Sequence, residues 1–184
     1  MHAHGFGGAS VRDIVQAAGV PQGSFTNHFT SKEAFALEII DRYFAGACQI
    51  IQQTLRNDAL PPLQRLRGYL NALKQSLDEG VVQNGCLLGN FTAEACDQSP
   101  PIRDKLIAIY AEVERAVADC LRAAIKAGEL PTGFDCADVA GFITASLQGA
   151  NLMAKAQRST VPVERFERIP VSYTHLTLPT NREV

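Results

Sequence analysis

Between Ser10 and Glu33 the chain reads SVRDIVQAAGVPQGSFTNHFTSKE. This stretch constrains the fold more than any other. It predicts a helix, a tight turn, a short second helix and the start of a third. Ser10 is an N-cap residue, and Asp13 three positions on approximates a capping box. Val11, Ile14, Val15 and Ala18 share one helical face. Gly19 suits a left-handed C-terminal cap, Val20 can pack in the corner, and Pro21 suits the first turn of the next helix. Gly23, Ser24, Thr26 and Asn27 are small or polar, whereas Phe25 and Phe29, four apart, anchor the opposite face. Thr30 with Glu33 marks a second cap, opening a helix that continues past Phe44. Helix, turn and helix in this order can place a helix in a DNA groove.

Residues Gly19 to Phe35, GVPQGSFTNHFTSKEAF, resemble the DNA-binding signature of the TetR/AcrR family of bacterial repressors. The resemblance implies an all-α fold: a helix-turn-helix DNA-binding domain over 1–45, and a helical bundle over 46–169 that binds ligand and dimerises. It implies that Lys32, Ser10 and Arg12 approach phosphates. Pro21, Gln22, Gly23, Ser24, Thr26, Asn27 and His28 would face the major groove of a double-stranded operator. Residue chemistry agrees in part. Gln and Asn can pair bidentately with adenine, Ser and Thr can bond bases or phosphates, and a Lys supplies charge to phosphate. The alternative is an ordinary polar surface on a helical hairpin.

Two departures bear on this. Thr26 stands where the family usually has Tyr. The family also carries a full helix before Gly5-Phe6, which is expected to be missing here, with Phe6 the last remnant of its core contact. Residues 170–184 turn Thr- and Pro-rich with strand-like alternation, and resemble translated vector read-through. They are expected to be a non-native tail, a genuine flexible terminus being the alternative. Both ends together lead to an expectation of weak or absent operator binding by the chain as written.

A formal charge of −2 and a pI near 6.1 argue against a bulk nucleic-acid coat protein. No apolar run is long enough to span a bilayer, and no signal peptide opens the chain, so a cytoplasmic protein without membrane contact is expected. The five cysteines, Cys48, Cys86, Cys96, Cys120 and Cys136, form no CxxC pair and have no nearby His. They predict free thiols, with no metal site and no cofactor.

Beyond Thr30 the pattern predicts helices over about 31–55, 62–79, 86–97 and 100–127, then one from Asp135 past Met153. A loop is expected at 80–85. In the last of these, Gly141, Ala145, Ser146, Gly149 and Ala150 make a small-residue face. It fits either intrachain packing or, as the resemblance implies, a homodimer interface.

The segment from Asn84 to Asp97, NGCLLGNFTAEACD, resembles a subgroup that includes the repressor of the N-ethylmaleimide reductase operon. This implies a sensor of thiol-reactive electrophiles at Cys86, at the start of a short helix. Helix N-termini favour the thiolate. A buried structural cysteine is the alternative. Phe91, Tyr69, Tyr110 and Phe142 are further candidate effector contacts that serve equally well as core. The expected function is therefore a repressor released from its operator by a small molecule or an electrophile, and not an enzyme. A thiol enzyme using Cys86 is disfavoured because His28 and His175 are remote in sequence. A structural helical dimer without DNA binding is the third reading.

Overall fold

Ser10 starts α2 (Val11–Ala17) as expected. Its hydroxyl accepts the Asp13 N–H at 3.2 Å while the Asp13 carboxylate accepts the Ser10 N–H at 2.9 Å, so the capping box is complete. Gly19 closes the helix at φ +66°, a conformation that glycine adopts without a Cβ penalty. Helix α3 (Gly23–His28) follows, then α4 (Lys32–Gln53). Phe25 is buried beneath α3 with its ring 5.4 Å from Phe29 and 5.6 Å from Phe35, and Phe29 lies 4.9 Å from Phe35. This aromatic cluster fills the interior of the unit. Val20 does not: it is 43% exposed, a correction to the corner role expected of it.

The computed structural model describes residues 1–75 and 79–173, and every element among them is a helix. Helix α1 is four residues long (Gly5–Gly8). Helices α5 (Pro62–Gln75), α6 (Glu79–Asn84), α7 (Leu87–Ala95), α8 (Pro100–Lys126), α9 (Cys136–Gln157) and α10 (Val161–Tyr173) complete the order. Ser99 caps α8 and Asp135 caps α9, both as the sequence predicts. The first turn of α5 is closed from afar, by Glu129 accepting the Leu63 N–H at 2.8 Å.

Two expectations are corrected. Residues 80–85 are not a plain loop, because α6 reaches Asn84. Gly80 does not break this helix, since Val82 is buried and the Gln83 carbonyl accepts the Arg158 guanidinium at 2.8 Å. Here tertiary contacts override a weak local preference. Helix α10 also continues through Pro170 to Tyr173, past the expected boundary at 169. The remainder of the expected tail, 174–184, and Leu77 lie outside the described residues.

The core has two parts. One joins Ile51 and Leu55 to α5, α8, α9 and α10. The other joins Ala36 and Ile40 of α4 to Leu87, Leu88 and Phe91 of α7 and to Ile102, Leu106 and Ile109 of α8, with Met1 and Phe6 against it. Helix α4 runs unbroken across the expected boundary at 45/46 and feeds both parts.

Candidate functional site

The α2–α3 unit presents one exposed polar surface. Arg12, Pro21, Gln22, Gly23, Thr26, Asn27 and His28 are exposed and Ser24 is half-buried. A Cβ at Gly23 would meet only open space. Some of this chemistry is already engaged. Thr26 donates its hydroxyl to the Gly23 carbonyl at 3.0 Å, and the Ser10 hydroxyl donates to Asp13 at 2.5 Å. Those bonds lower the Asp13 pKa, the Ser10 hydroxyl first and its backbone N–H second.

Lys32 is the first residue of α4, four positions beyond the end of α3. Its ammonium lies 4.7 Å from the centre of the Phe6 ring, which packs in turn on Phe91 at 5.9 Å. The cap of α4 is Ser31, which accepts the Ala34 N–H at 3.0 Å, and not the expected Thr30. Glu33 is thereby free to reach α8, where it accepts the Ser99 hydroxyl at 2.5 Å.

The second region surrounds Cys86, the N-cap residue of α7. It lines two cavities. One of about 530 Å³ lies among α7, α8 and α9, and one of about 280 Å³ among α4, α5, α7 and α9. Gln148 and Asn151 also face both. The Tyr43 hydroxyl, on α4, donates to the Cys86 sulfur at 3.9 Å. Burial raises the pKa of Tyr43 above the ordinary phenol value. Burial raises the Cys48, Cys96 and Cys120 pKa values, Cys120 to about 11, and Cys136 is buried.

The profile of the family described as bacterial regulatory proteins, tetR family, matches residues 1–39. The profile described as the tetracyclin repressor-like C-terminal domain matches residues 62–169. The chain belongs to the TetR family. As such it is a DNA-binding transcriptional regulator. It is 35% identical over 162 residues to the HTH-type transcriptional repressor DhaR of Mycobacterium sp. strain GP1, covering 88% of this chain and 80% of that protein. It is 31% identical over 165 residues to the repressor NemR of Escherichia coli K12, covering 87% and 80%. The crystal structure of a TetR regulatory protein from Rhodobacter sphaeroides superposes with a TM-score of 0.85 at 28% identity, over 94% of this chain and 92% of the other.

Within this TetR-family frame, the expected effector residues separate. Cys86 lines both cavities, Tyr110 lines the larger and Tyr69 the smaller, where burial pushes its pKa up to about 12. Phe91, only 1% exposed, is core and faces neither cavity. Phe142 faces neither cavity and is 67% exposed on α9. Helical spacing places it on the same side as Gly141, Ala145, Gly149, Leu152 and Met153, within about a third of the helix circumference. Leu152 is 68% and Met153 50% exposed. A Cβ added at Gly141 or Gly149 would touch nothing within 4 Å.

Sequence reasoning missed the contacts of the first residues. His2 donates through Nε2 to the Gly85 carbonyl at 2.7 Å, and its ring meets Tyr43 edge-on at 5.9 Å. Glu94 of α7 accepts the Phe6 N–H at 2.7 Å. Gly5, at φ +73°, leaves room for that carboxylate, with which any Cβ there would collide. A His bonded to a carbonyl 83 positions away in sequence offers no local signal.

Proposed function

We propose that this regulator is a repressor that holds a palindromic operator as a homodimer and lets go when a small molecule or a thiol-reactive electrophile acts around Cys86. Arg12, Lys32 and Ser10 would contact phosphates. Gln22, Ser24, Thr26, Asn27 and His28 would lie in the major groove, with Pro21 and Gly23 in close approach. TetR-family regulators act as dimers. The unpartnered α9 face from Gly141 to Met153 supports dimerisation there, because small residues let helices approach closely and the exposed Phe142, Leu152 and Met153 need cover. No helix among the described residues is long and apolar enough to cross a membrane, and we assign the protein to the cytoplasm.

The observation that carries the effector reading is the Tyr43–Cys86 contact. Helix α4 has Lys32 at its first turn and Tyr43 eleven residues on, about 16 Å along the axis. Addition of the Cys86 thiol to an activated alkene forms one S–C bond, breaks the C=C π bond and places the proton on the neighbouring carbon. An adduct on the sulfur replaces the thiol that Tyr43 contacts, and through that contact it would act on α4. Two reading helices whose separation changes no longer match two half-sites.

The test is operator release by N-ethylmaleimide, followed by fluorescence anisotropy on DNA from upstream of the neighbouring gene. Release by the native protein and retention by Cys86→Ser support the proposal. Equal release from both would refute the role of Cys86.

A further inference from the structure

The larger cavity has a chemistry of its own, apart from its thiol. Its volume of about 530 Å³ suits a small-molecule ligand. Two polar atoms of its lining residues are buried without a hydrogen-bond partner among the described residues. They are Oγ1 of Thr144, a residue only 6% exposed, and Oε1 of Gln148. Each buried unpaired polar atom costs about 1–3 kcal/mol. Both sit one turn apart on the α9 wall of this cavity, beneath its surface, where a ligand that turns them outward would complete them.

Two of the other polar groups, Tyr110 and Glu114, offer acceptors to the cavity. Thr92 gives its single hydroxyl hydrogen to the Leu88 carbonyl at 2.8 Å. The Tyr110 hydroxyl, 3.0 Å from Thr92 Oγ1, must therefore give its own hydrogen to Thr92. What Tyr110 turns to the cavity is lone pairs. Glu114 adds a carboxylate to the lining. Lys155, the cation of the lining, donates to Asn90 Oδ1 at 3.0 Å and packs against Gly85. Asn151 also lines the cavity, and the rest is mostly apolar surface.

We infer that this cavity binds a small, largely apolar molecule bearing a hydroxyl or N–H donor, with Gln148 Oε1 and Thr144 Oγ1 as its acceptors. The inference deepens the effector reading and rests on it for the consequence, release of DNA. Binding itself does not depend on that reading. The cavity reaches the surface at Ala145, Gly149 and Leu152, on the α9 face assigned to the dimer, so the occupant sits beside the seam between two copies.

The experiment is a fluorescence titration of the full chain, without DNA, with 1-naphthol and with its methyl ether, which lacks the donor. The native protein binds 1-naphthol about tenfold more tightly than the ether. The double variant Thr144→Val, Gln148→Met brings the two affinities within about twofold of each other. Should that variant not fold, Gly89→Ala replaces it. A Cβ at Gly89 would lie 3.0 Å from Gln148 Oε1 and push it by a few tenths of an ångström, with a weakened preference expected. The inference is overturned if neither probe binds, if the native protein does not discriminate, or if the folded variant still does. Binding with this preference but without release of operator DNA would uphold the site and defeat the effector reading alone.

Discussion

The hydroxyl of Tyr43 on α4 donates to the sulfur of Cys86, the N-cap residue of α7, at 3.9 Å. This contact joins the helix that begins at Lys32 to the wall shared by both cavities. It predicts that reaction and release can be separated. In Tyr43→Ala, N-ethylmaleimide should still add once to Cys86 by intact-mass measurement, with the adduct filling the vacated space. The loss of operator affinity on alkylation should then fall from a factor in the usual allosteric range, about 5–150, to under about twofold. Full release in Tyr43→Ala would sink the coupling.

Lys32 sits over the Phe6 ring, poised at the first turn of α4. Lys32→Ala should weaken binding to all DNA sequences alike and lower the slope of log affinity against log salt by about one per subunit. Asn27→Ala should leave that slope alone and cost about 1–3 kcal/mol of discrimination at one base position of each half-site. Salt-series anisotropy on operator and point-substituted operators separates the two.

The box between Ser10 and Asp13 carries a pH signature. Asp13 titrates below its ordinary 3.8 in the folded chain because the Ser10 hydroxyl and N–H bond its ionised form. Its stabilising effect on α2 is complete above about pH 4 and fades as pH falls through the lowered folded value. Protection of the α2 first-turn amides, each rate taken relative to its intrinsic rate at that pH, should fall over that interval in the native protein. In Asp13→Asn it should be flat; an unchanged profile would show that the box does not hold the helix.

Phe91 belongs to the core and not to a cavity. Phe91→Ala should lower unfolding stability by about 3–5 kcal/mol in urea denaturation. It should leave the relative affinities of 1-naphthol and its ether unchanged when measured at a temperature where the variant is folded.

The exposed α9 face gives a further prediction. Leu152→Asp places a charge within the proposed seam, where it would have to be desolvated. Sedimentation should show a monomer where the native chain shows a dimer, and operator affinity should fall by at least about a hundredfold, since one half-site alone is then held. A dimeric Leu152→Asp would move the interface elsewhere.

Much of this architecture is legible in the amino-acid sequence. Capping residues, apolar spacing and the Pro and Gly punctuation put α2, α3, α4, α8 and α9 within a few residues of their observed limits, because those signals are local. The start of α7 at Cys86 is equally plain. What escapes depends on contacts distant in sequence. The α6 helix follows from Val82 burial and the Arg158 bond to Gln83, neither of which is visible in the run EGVVQN. Phe142 carries the same apolar signal as Phe91, yet one faces outward and the other is core. Only the packing of neighbouring helices tells them apart. His2, Glu94 and Glu33 make their decisive bonds 66 to 88 positions away.

The central claim is a sequence-reading dimer whose grip depends on the region around Cys86. The most direct measurement is anisotropy of the native chain on upstream DNA and on a scrambled duplex of equal length, before and after stoichiometric alkylation. The account predicts salt-sensitive preference for the upstream DNA, two chains per site, and loss of that preference on alkylation of native protein but not of Cys86→Ser. Equal binding to both duplexes, or a preference untouched by alkylation of Cys86, would contradict it.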